Sequence, residues 1–200
     1  MSVTVLTASF NRAHTLERLY NSLIEQSDIE FEWLVVDDGS TDITGRLIEG
    51  FVNDGILDIS YHHKLNQGKH SGLNVGFRIS KGDWILVVDS DDWLDSDCVE
   101  NVKKIIDVVR KDSEISSICM LQKDNNGLNV GSELNLNHHN YLEMIESNVT
   151  GDKCDVFRKS FVKKFWYPVF SGEKFMSEMP LYTYLGKISK THFTNYGGYN

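Results

Sequence analysis

Residues 84–92, WILVVDSDD, place five apolar side chains directly before three aspartates. An apolar run that stops abruptly at polar residues is typical of a buried strand in a parallel sheet. In open α/β sheets, ligands bind beyond the carboxyl ends of the strands. This stretch therefore predicts the class of the fold and places a candidate site at the end of one strand.

The sequence on both sides of this stretch alternates between apolar runs and helical periodicity. Strands are predicted at 3–9, 31–36, 56–61 and 84–88, and helices at 15–25 and 72–80, with a further helix after the second strand that Thr41 or Asp42 begins. Beyond residue 92 the pattern weakens to helices at 99–109, 141–147 and 173–185 and one strand at 115–121. The prediction is an α/β fold, a mostly parallel sheet flanked by helices, formed by residues 1–200 as a single domain.

The composition argues against a nucleic-acid partner and against a membrane-spanning segment. The 200 residues carry a net charge of -9, which argues against a surface built for nucleic-acid phosphates. The three cysteines are widely spaced and odd in number, which favours a reducing, cytoplasmic setting. No run of about 18 apolar residues is present, so neither a signal peptide nor a spanning helix is predicted.

Four carboxylates lie close together after the fourth predicted strand: Asp89, Asp91, Asp92 and Asp95. Such a cluster repels itself unless it is solvated or binds a cation, and carboxylate oxygens are the ligands that Mg²⁺ and Mn²⁺ prefer. We predict a metal and nucleotide role for Asp89 and Asp91. Asp95, or Ser96, is interpreted instead as the cap of the helix that follows.

Three other segments accompany the acidic run in a fixed order. They are TASFNR at 7–12, VVDDGSTD at 35–42 and NQGKHSGLNVG at 66–76, followed by KGDWILVVDSDD at 81–92. Together they resemble the family 2 glycosyltransferases, which have the GT-A fold of the nucleotide-diphospho-sugar transferase superfamily. The resemblance covers about the first 95 residues, and it implies an inverting transfer from a nucleoside-diphosphate sugar, commonly UDP-linked.

The resemblance also implies roles for individual residues. Asp38 is expected to bind the base, Asp89 the ribose and the metal, Asp91 the metal, and Asp92 the donor sugar. The remaining expected contacts to the nucleotide-sugar are Thr7, Asn11, Arg12, Asn66, Gly68, Lys69 and Ser90. For Lys69, neutralisation of phosphate charge and a place in a solvated loop stay open as alternatives.

The general base is expected in the second half of the chain. Many relatives carry a Glu-Asp pair after a glycine, whereas this sequence has Gly172-Glu173-Lys174-Phe175. Glu173 is the leading candidate and Glu178 the substitute. The alternative for Glu173 is a surface carboxylate in the first turn of the helix predicted at 173–185.

These observations predict a glycosyltransferase that depends on Mn²⁺ or Mg²⁺ and acts on a glycan or lipid-linked acceptor, as in polysaccharide biosynthesis. Residues 1–95 are predicted to form the donor half and residues 96–200 the acceptor half. The acceptor half is a candidate for truncation at its C-terminal end.

The basic and aromatic stretch 158–167 is interpreted as core with solvated lysines, with contact to the inner face of a membrane as the alternative. A catalytically inactive nucleotide-sugar-binding module is the second hypothesis. The histidine pairs at 62–63 and 138–139 are predicted to be structural or solvated.

Overall fold

A computed structural model describes residues 2–137 and 139–200; His138, of the second histidine pair, lies outside the described residues. Seven strands and seven helices are present in this part of the chain. In order they are β1 (Val3–Ser9), α1 (Ala13–Ile24), β2 (Glu32–Asp37), α2 (Thr44–Asp54), β3 (Asp58–His63), α3 (Lys69–Ile79), β4 (Trp84–Val87), α4 (Cys98–Val109), β5 (Ile115–Gln122), α5 (Tyr141–Glu146), β6 (Lys153–Arg158), α6 (Lys159–Val162), α7 (Met179–Ile188) and β7 (Lys190–Tyr199). None of the described helices is long and apolar enough to cross a membrane.

The seven strands form one sheet in the order β3-β2-β1-β4-β6-β5-β7. Neighbouring strands are parallel except at β6, which runs antiparallel to both β4 and β5. The predicted mostly parallel sheet is therefore present. The ends of β1, β2 and β4 meet at one edge because these three strands are parallel neighbours.

Two apolar clusters, one on each face of the sheet, make the core. Helices α1, α2 and α4 pack on one face, and α3, α5, α6 and α7 pack on the other. β4 contributes to both clusters because its side chains alternate: Trp84 and Leu86 face the first, and Ile85 faces the second. Burial on both faces explains why this strand reads as a continuous apolar run.

Helix α3 lies unusually close to β1, and small residues allow the approach. A Cβ on Gly76 would lie 2.4 Å from Leu6 Cδ1, and one on Gly72 would lie 3.1 Å from the Cβ of Ala8. A larger side chain at Gly76 would force either Leu6 or the helix to shift. Because Lys69 begins α3, this packing also fixes where Lys69 stands relative to the end of β1.

The second half differs from the sequence prediction in four places. β6, α6 and β7 were not predicted, and the helix expected at 173–185 begins only at Met179. Gly172 has a φ of 84°, which makes a turn, and Pro180 stands at the start of α7, where its missing N–H costs no helix hydrogen bond. Glu173 is therefore in a loop before the helix and not in its first turn.

Candidate functional site

The loops after β1 and β2 are held together by Asn11. Its Oδ1 accepts from the backbone N–H of Thr41 at 2.8 Å, and its own N–H donates to Ser40 Oγ at 2.8 Å. Asn11 has a φ of 53°, in the left-handed region that asparagine tolerates better than most residues. Asn11 therefore links the loops after β1 and β2, the two segments that are expected to border a nucleotide.

Asp38 anchors the loop that precedes α3. Its side chain is 3% exposed, and it accepts from Lys64 Nζ at 2.5 Å, the Gln67 N–H at 3.0 Å and the Gly68 N–H at 2.6 Å. We expected this carboxylate to bind the base of the nucleotide. In the structure the donors of its own chain contact both oxygens of this buried group, and its contact with the base stays a prediction.

The loop that Asp38 holds presents Asn66, Gly68 and Lys69. Gly68 has a φ of 97°, and a Cβ there would lie 2.2 Å from the Lys174 carbonyl oxygen, so this position requires glycine. The Oδ1 of Asn66 is buried and has no hydrogen-bond partner among the described residues. A buried acceptor without a partner fits a position that a ligand completes.

The family resemblance places Thr7 at the border of the nucleotide, whereas the structure buries its side chain. It is fully buried, and its Oγ1 accepts from Trp33 Nε1 at 3.2 Å. Because strand side chains alternate between the two faces, Thr7 points into the core under α1 and α2. Its side chain therefore stabilises the sheet, and the border of the site is made by residues beyond the strand such as Arg12, which is 42% exposed.

The acidic run forms a compact group of oxygen donors. Asp89, Asp91 and Asp92 each offer a carboxylate oxygen, and these oxygens lie within 4.8 Å of one another. Burial and the two neighbouring carboxylates raise the pKa of Asp92, although a hydrogen bond from Tyr199 opposes the shift. A divalent cation relieves this repulsion, so the donor set fits Mg²⁺ or Mn²⁺. Ser90, between them, is buried.

Two positively charged side chains contact the acidic run. Lys69 Nζ lies 2.7 Å from Asp89 Oδ1, and the Arg12 guanidinium lies 3.6 Å from Asp91 Oδ2. Burial lowers the pKa of Lys69, but Asp89 and Glu178 more than offset it and raise the pKa overall. Lys69 therefore stays charged at neutral pH and is available to neutralise phosphate.

Tyr199, near the C-terminal end of the chain, supports the acidic run, and no sequence pattern pointed to it. Its hydroxyl accepts from the Asp89 N–H at 3.0 Å and donates to Asp92 Oδ2 at 2.6 Å. Two backbone hydrogen bonds of 2.9 Å between Trp93 and Asn200 fix the strand end beside the loop. The end of β7 thus holds the acidic run in place.

A cleft of about 770 Å³ opens on the other side of the acidic run. Glu178 lines it together with Asp89, Asp91, Asp92 and Lys69. Lys69 joins the two groups, since its Nζ lies 3.5 Å from Glu178 Oε1. Glu178 immediately precedes α7, which holds it at the mouth of the cleft.

Glu173, the leading candidate for the base, does not line this cleft in the part of the chain that the structure describes. It is exposed, and its Oε1 accepts from the N–H of Phe175 at 2.9 Å, within its own loop. Of the two candidate glutamates, Glu178, the substitute candidate, is therefore the one that lines the cleft beside the acidic run.

A buried carboxylate that the sequence analysis did not select forms part of the cleft floor. Asp155 on β6 accepts from the Tyr141 hydroxyl at 2.8 Å and from the Tyr182 hydroxyl at 2.6 Å. The two tyrosine rings stack with centroids 4.4 Å apart. Burial raises the pKa of Asp155 to about 6, although the tyrosine hydrogen bonds oppose the shift.

The raised pKa of Asp155 predicts a pH-dependent stability. Below a pH of about 3 the group is protonated in both the folded and the unfolded chain, and above about 7 it is ionised in both, at a cost in the folded state. We expect the unfolding free energy of the wild type, relative to Asp155→Asn, to fall by about 3 kcal/mol as pH rises through this window. Urea unfolding of both proteins at the two ends of the window measures the difference, and a constant difference would contradict the shift.

Two other expectations are resolved by contacts. Asp95 is not a helix cap, because its carboxylate binds Lys123 Nζ at 2.6 Å and Asn200 Nδ2 at 2.7 Å. In the basic and aromatic stretch, Phe165 is buried and Lys163 and Lys164 are exposed, as the interpretation as core with solvated lysines expects, but Trp166 is 54% exposed and does not belong to the core. Asp95 instead ties the acidic loop to the strand end that carries Tyr199.

The pattern of the family described as Glycosyl transferase family 2 matches residues 4–166. The succinoglycan biosynthesis protein ExoO of Rhizobium meliloti (strain 1021) is 28% identical over 171 residues, which are 84% of this chain and 47% of ExoO. The glycosyltransferase GlyA of Streptococcus pneumoniae is 34% identical over 106 residues, 52% of this chain and 15% of GlyA. The chain thus spans less than half the length of both curated relatives.

Solved structures share the fold. The crystal structure of S. aureus TarS 1-349 in complex with UDP-GlcNAc has a TM-score of 0.73 and 24% identity, and the match covers 100% of this chain and 58% of that one. At this level of identity the similarity establishes a common GT-A architecture, and the predicted fold class is confirmed.

Proposed function

The chain belongs to the family 2 glycosyltransferases, and from that premise we propose that it transfers a sugar from a nucleoside-diphosphate sugar to a hydroxyl group of a glycan or lipid-linked acceptor. One observation carries the proposal: three carboxylate oxygens within 4.8 Å of one another lie between the loops after β1 and β2 and a cleft that contains Glu178. A UDP-linked donor is favoured because TarS is described in complex with UDP-GlcNAc.

Asp91 and Asp89 would hold Mn²⁺ or Mg²⁺, with Asp92 beside them. When bound, the cation supplies positive charge to the departing diphosphate. The mannosyltransferase PcManGT of Pyrobaculum calidifontis, whose fold matches with a TM-score of 0.68 at 15% identity over 96% of this chain and 54% of its own, is described in complex with GDP-Man and Mn²⁺. The ammonium group of Lys69 and the guanidinium group of Arg12 flank the same position and add to the neutralisation.

Glu178 acts as the general base in this proposal. Its carboxylate accepts the proton of the acceptor hydroxyl, the hydroxyl oxygen attacks the anomeric carbon, and the bond from that carbon to the diphosphate oxygen breaks with the electron pair leaving on the diphosphate. Attack from the side opposite the leaving group inverts the anomeric configuration. Lys69 links the base to the acidic run, since its Nζ lies 3.5 Å from Glu178 and 2.7 Å from Asp89, so both lie within reach of one bound donor.

The test is to incubate the protein with Mn²⁺ or Mg²⁺ and a panel of UDP- and GDP-sugars, and to follow release of the nucleoside diphosphate with and without oligosaccharide acceptors. We expect release that depends on both the cation and an acceptor. Tight donor binding without any release would instead support the second hypothesis, an inactive nucleotide-sugar-binding module. Absence of nucleotide binding would contradict both.

A further inference from the structure

We propose that Tyr167 and Asp155 form an acceptor subsite at the floor of the cleft, and that this subsite takes a neutral sugar ring in preference to a phosphate-bearing one. The inference rests on the proposed function and specifies its acceptor class. It concerns the part of the cleft beyond Glu178, which is lined by residues of the second half of the chain.

The cleft is separate from the nucleotide border. Asn11, Arg12 and Asp38 do not line it in the part of the chain that the structure describes, whereas the acidic run does. A donor with its nucleotide against the loops after β1 and β2 would therefore point its sugar across Asp91 into the cleft. The space beyond is left for the second substrate.

Tyr167 presents an unpaired hydroxyl to this space. The residue is 1% exposed and lines the cleft, yet its hydroxyl has no hydrogen-bond partner among the described residues. Its backbone is fixed, because its N–H donates to Asn74 Oδ1 at 2.8 Å and its carbonyl accepts from Asn74 Nδ2 at 2.9 Å. A fixed, desolvated hydroxyl without a partner is satisfied when a ligand hydroxyl takes that place.

Asp155 lies on the same floor, where its carboxylate is oriented by two tyrosine hydroxyls. Each of its oxygens accepts one of these hydrogen bonds and keeps a further lone pair for a hydroxyl of the ligand. The ring of Tyr182, which also lines the cleft, provides an apolar surface beside this carboxylate. A sugar matches both features, because its hydroxyl groups can donate to the carboxylate and the face of its ring is apolar.

The charges of the cleft disfavour an anionic acceptor. Six carboxylates line it: Asp89, Asp91, Asp92, Asp152, Asp155 and Glu178. The two lining lysines are both engaged, Lys69 by Asp89 and Glu178, and Lys153 by the carbonyl oxygens of Thr150 at 2.7 Å and Gly151 at 3.1 Å. Within the described lining, six carboxylates outnumber two lysines, and the proposed function already assigns Lys69 to the donor diphosphate, so a phosphate on the acceptor would meet net negative charge.

The experiment measures binding of methyl hexosides, and of the matching hexoside 6-phosphates, to the full chain loaded with UDP and Mg²⁺. We expect the affinity for the neutral glycosides to be at least about tenfold higher than the affinity for their phosphates. Tyr167→Phe is expected to weaken neutral glycoside binding about fivefold to tenfold and to leave UDP affinity unchanged, since it removes one hydrogen-bonding group and keeps the ring.

Tyr184→Phe is the matched control, because its ring packs against Phe165 at 5.2 Å but does not line the described cleft. Thermal melting of both variants reports on their folding. Equal or tighter binding of the phosphates, an unaffected Tyr167→Phe variant, or UDP binding with no glycoside binding would each overturn the subsite. If the wild type did not bind UDP at all, the proposed function itself would be overturned.

Discussion

Replacing Glu178 with glutamine is expected to lower the rate of sugar transfer by about two to four orders of magnitude, the range for loss of a general base. The amide has nearly the shape of the carboxylate but cannot accept the proton of the acceptor hydroxyl. Donor affinity should change little, because the amide oxygen of the variant still reaches Lys69, whose Nζ lies 3.5 Å away in the wild type. Transfer rates under saturating donor, together with calorimetry for donor binding, measure the two effects separately.

Glu173→Gln is the matched control for this prediction, since it makes the same chemical change five residues earlier in the chain. Glu173 is exposed and its carboxylate accepts from the Phe175 N–H inside its own loop, so we expect nearly full activity. The reverse result, a large loss in Glu173→Gln and little in Glu178→Gln, would return the role to the candidate that the sequence favoured. Equal, small losses would exclude both residues as the base.

The sequence ranked these two glutamates in the opposite order for an identifiable reason. The ranking rested on the family resemblance, in which a Glu-Asp pair follows a glycine, whereas the helix predicted at 173–185 was the basis of the alternative, a surface carboxylate in its first turn. The helix begins at Met179 instead, after a loop whose Lys174 carbonyl packs on Gly68. That contact joins residues more than a hundred positions apart, and no local pattern encodes it.

The donor half was more predictable because each of its signals is local. A parallel strand buried on both faces appears as an apolar run, and its end appears as a change to polar residues, as at Val88 and Asp89. The strand predicted at 3–9 agrees with β1 at both ends. The protein partners of Thr7 and Asp38, which are Trp33 and Lys64, could not be read from local sequence, and the contacts of both residues with a nucleotide stay predictions.

In the second half the strand predicted at 115–121 is present as β5, but β6 and β7 were missed because their signals are not local. β7 contains Thr191, Thr194 and two glycines, and its residues alternate only partly between buried and exposed positions. Its place in the sheet comes from pairing with β5, and the role of Tyr199 comes from a hydrogen bond to Asp92, 107 positions away. Such roles are fixed by tertiary contacts, so composition and periodicity could not have identified them.

Replacing Asp91 with alanine is expected to abolish cation-dependent binding of the nucleotide-sugar, a loss of about a hundredfold or more in affinity measured with Mg²⁺ or Mn²⁺. Asp91 is half exposed and contributes one of three oxygens within 4.8 Å of one another. Its removal leaves two carboxylates, too few to hold the cation well beside a diphosphate. The ion pair with Arg12 is also lost, but at 3.6 Å and with both partners well exposed it contributes little.

Calorimetry with UDP-sugar, in the presence of each cation and of a chelator, separates the metal contribution from direct contacts. In the chelator, wild type and Asp91→Ala should bind equally weakly, and only the wild type should gain affinity when the cation is added. Asp83→Ala is the control, because Asp83 is an exposed aspartate at the opposite end of β4 and should behave as the wild type. If Asp91→Ala kept the full gain with Mn²⁺, the cation would have to be held by other oxygens, and the acidic run would be a positioning element for the loop that Tyr199 fixes.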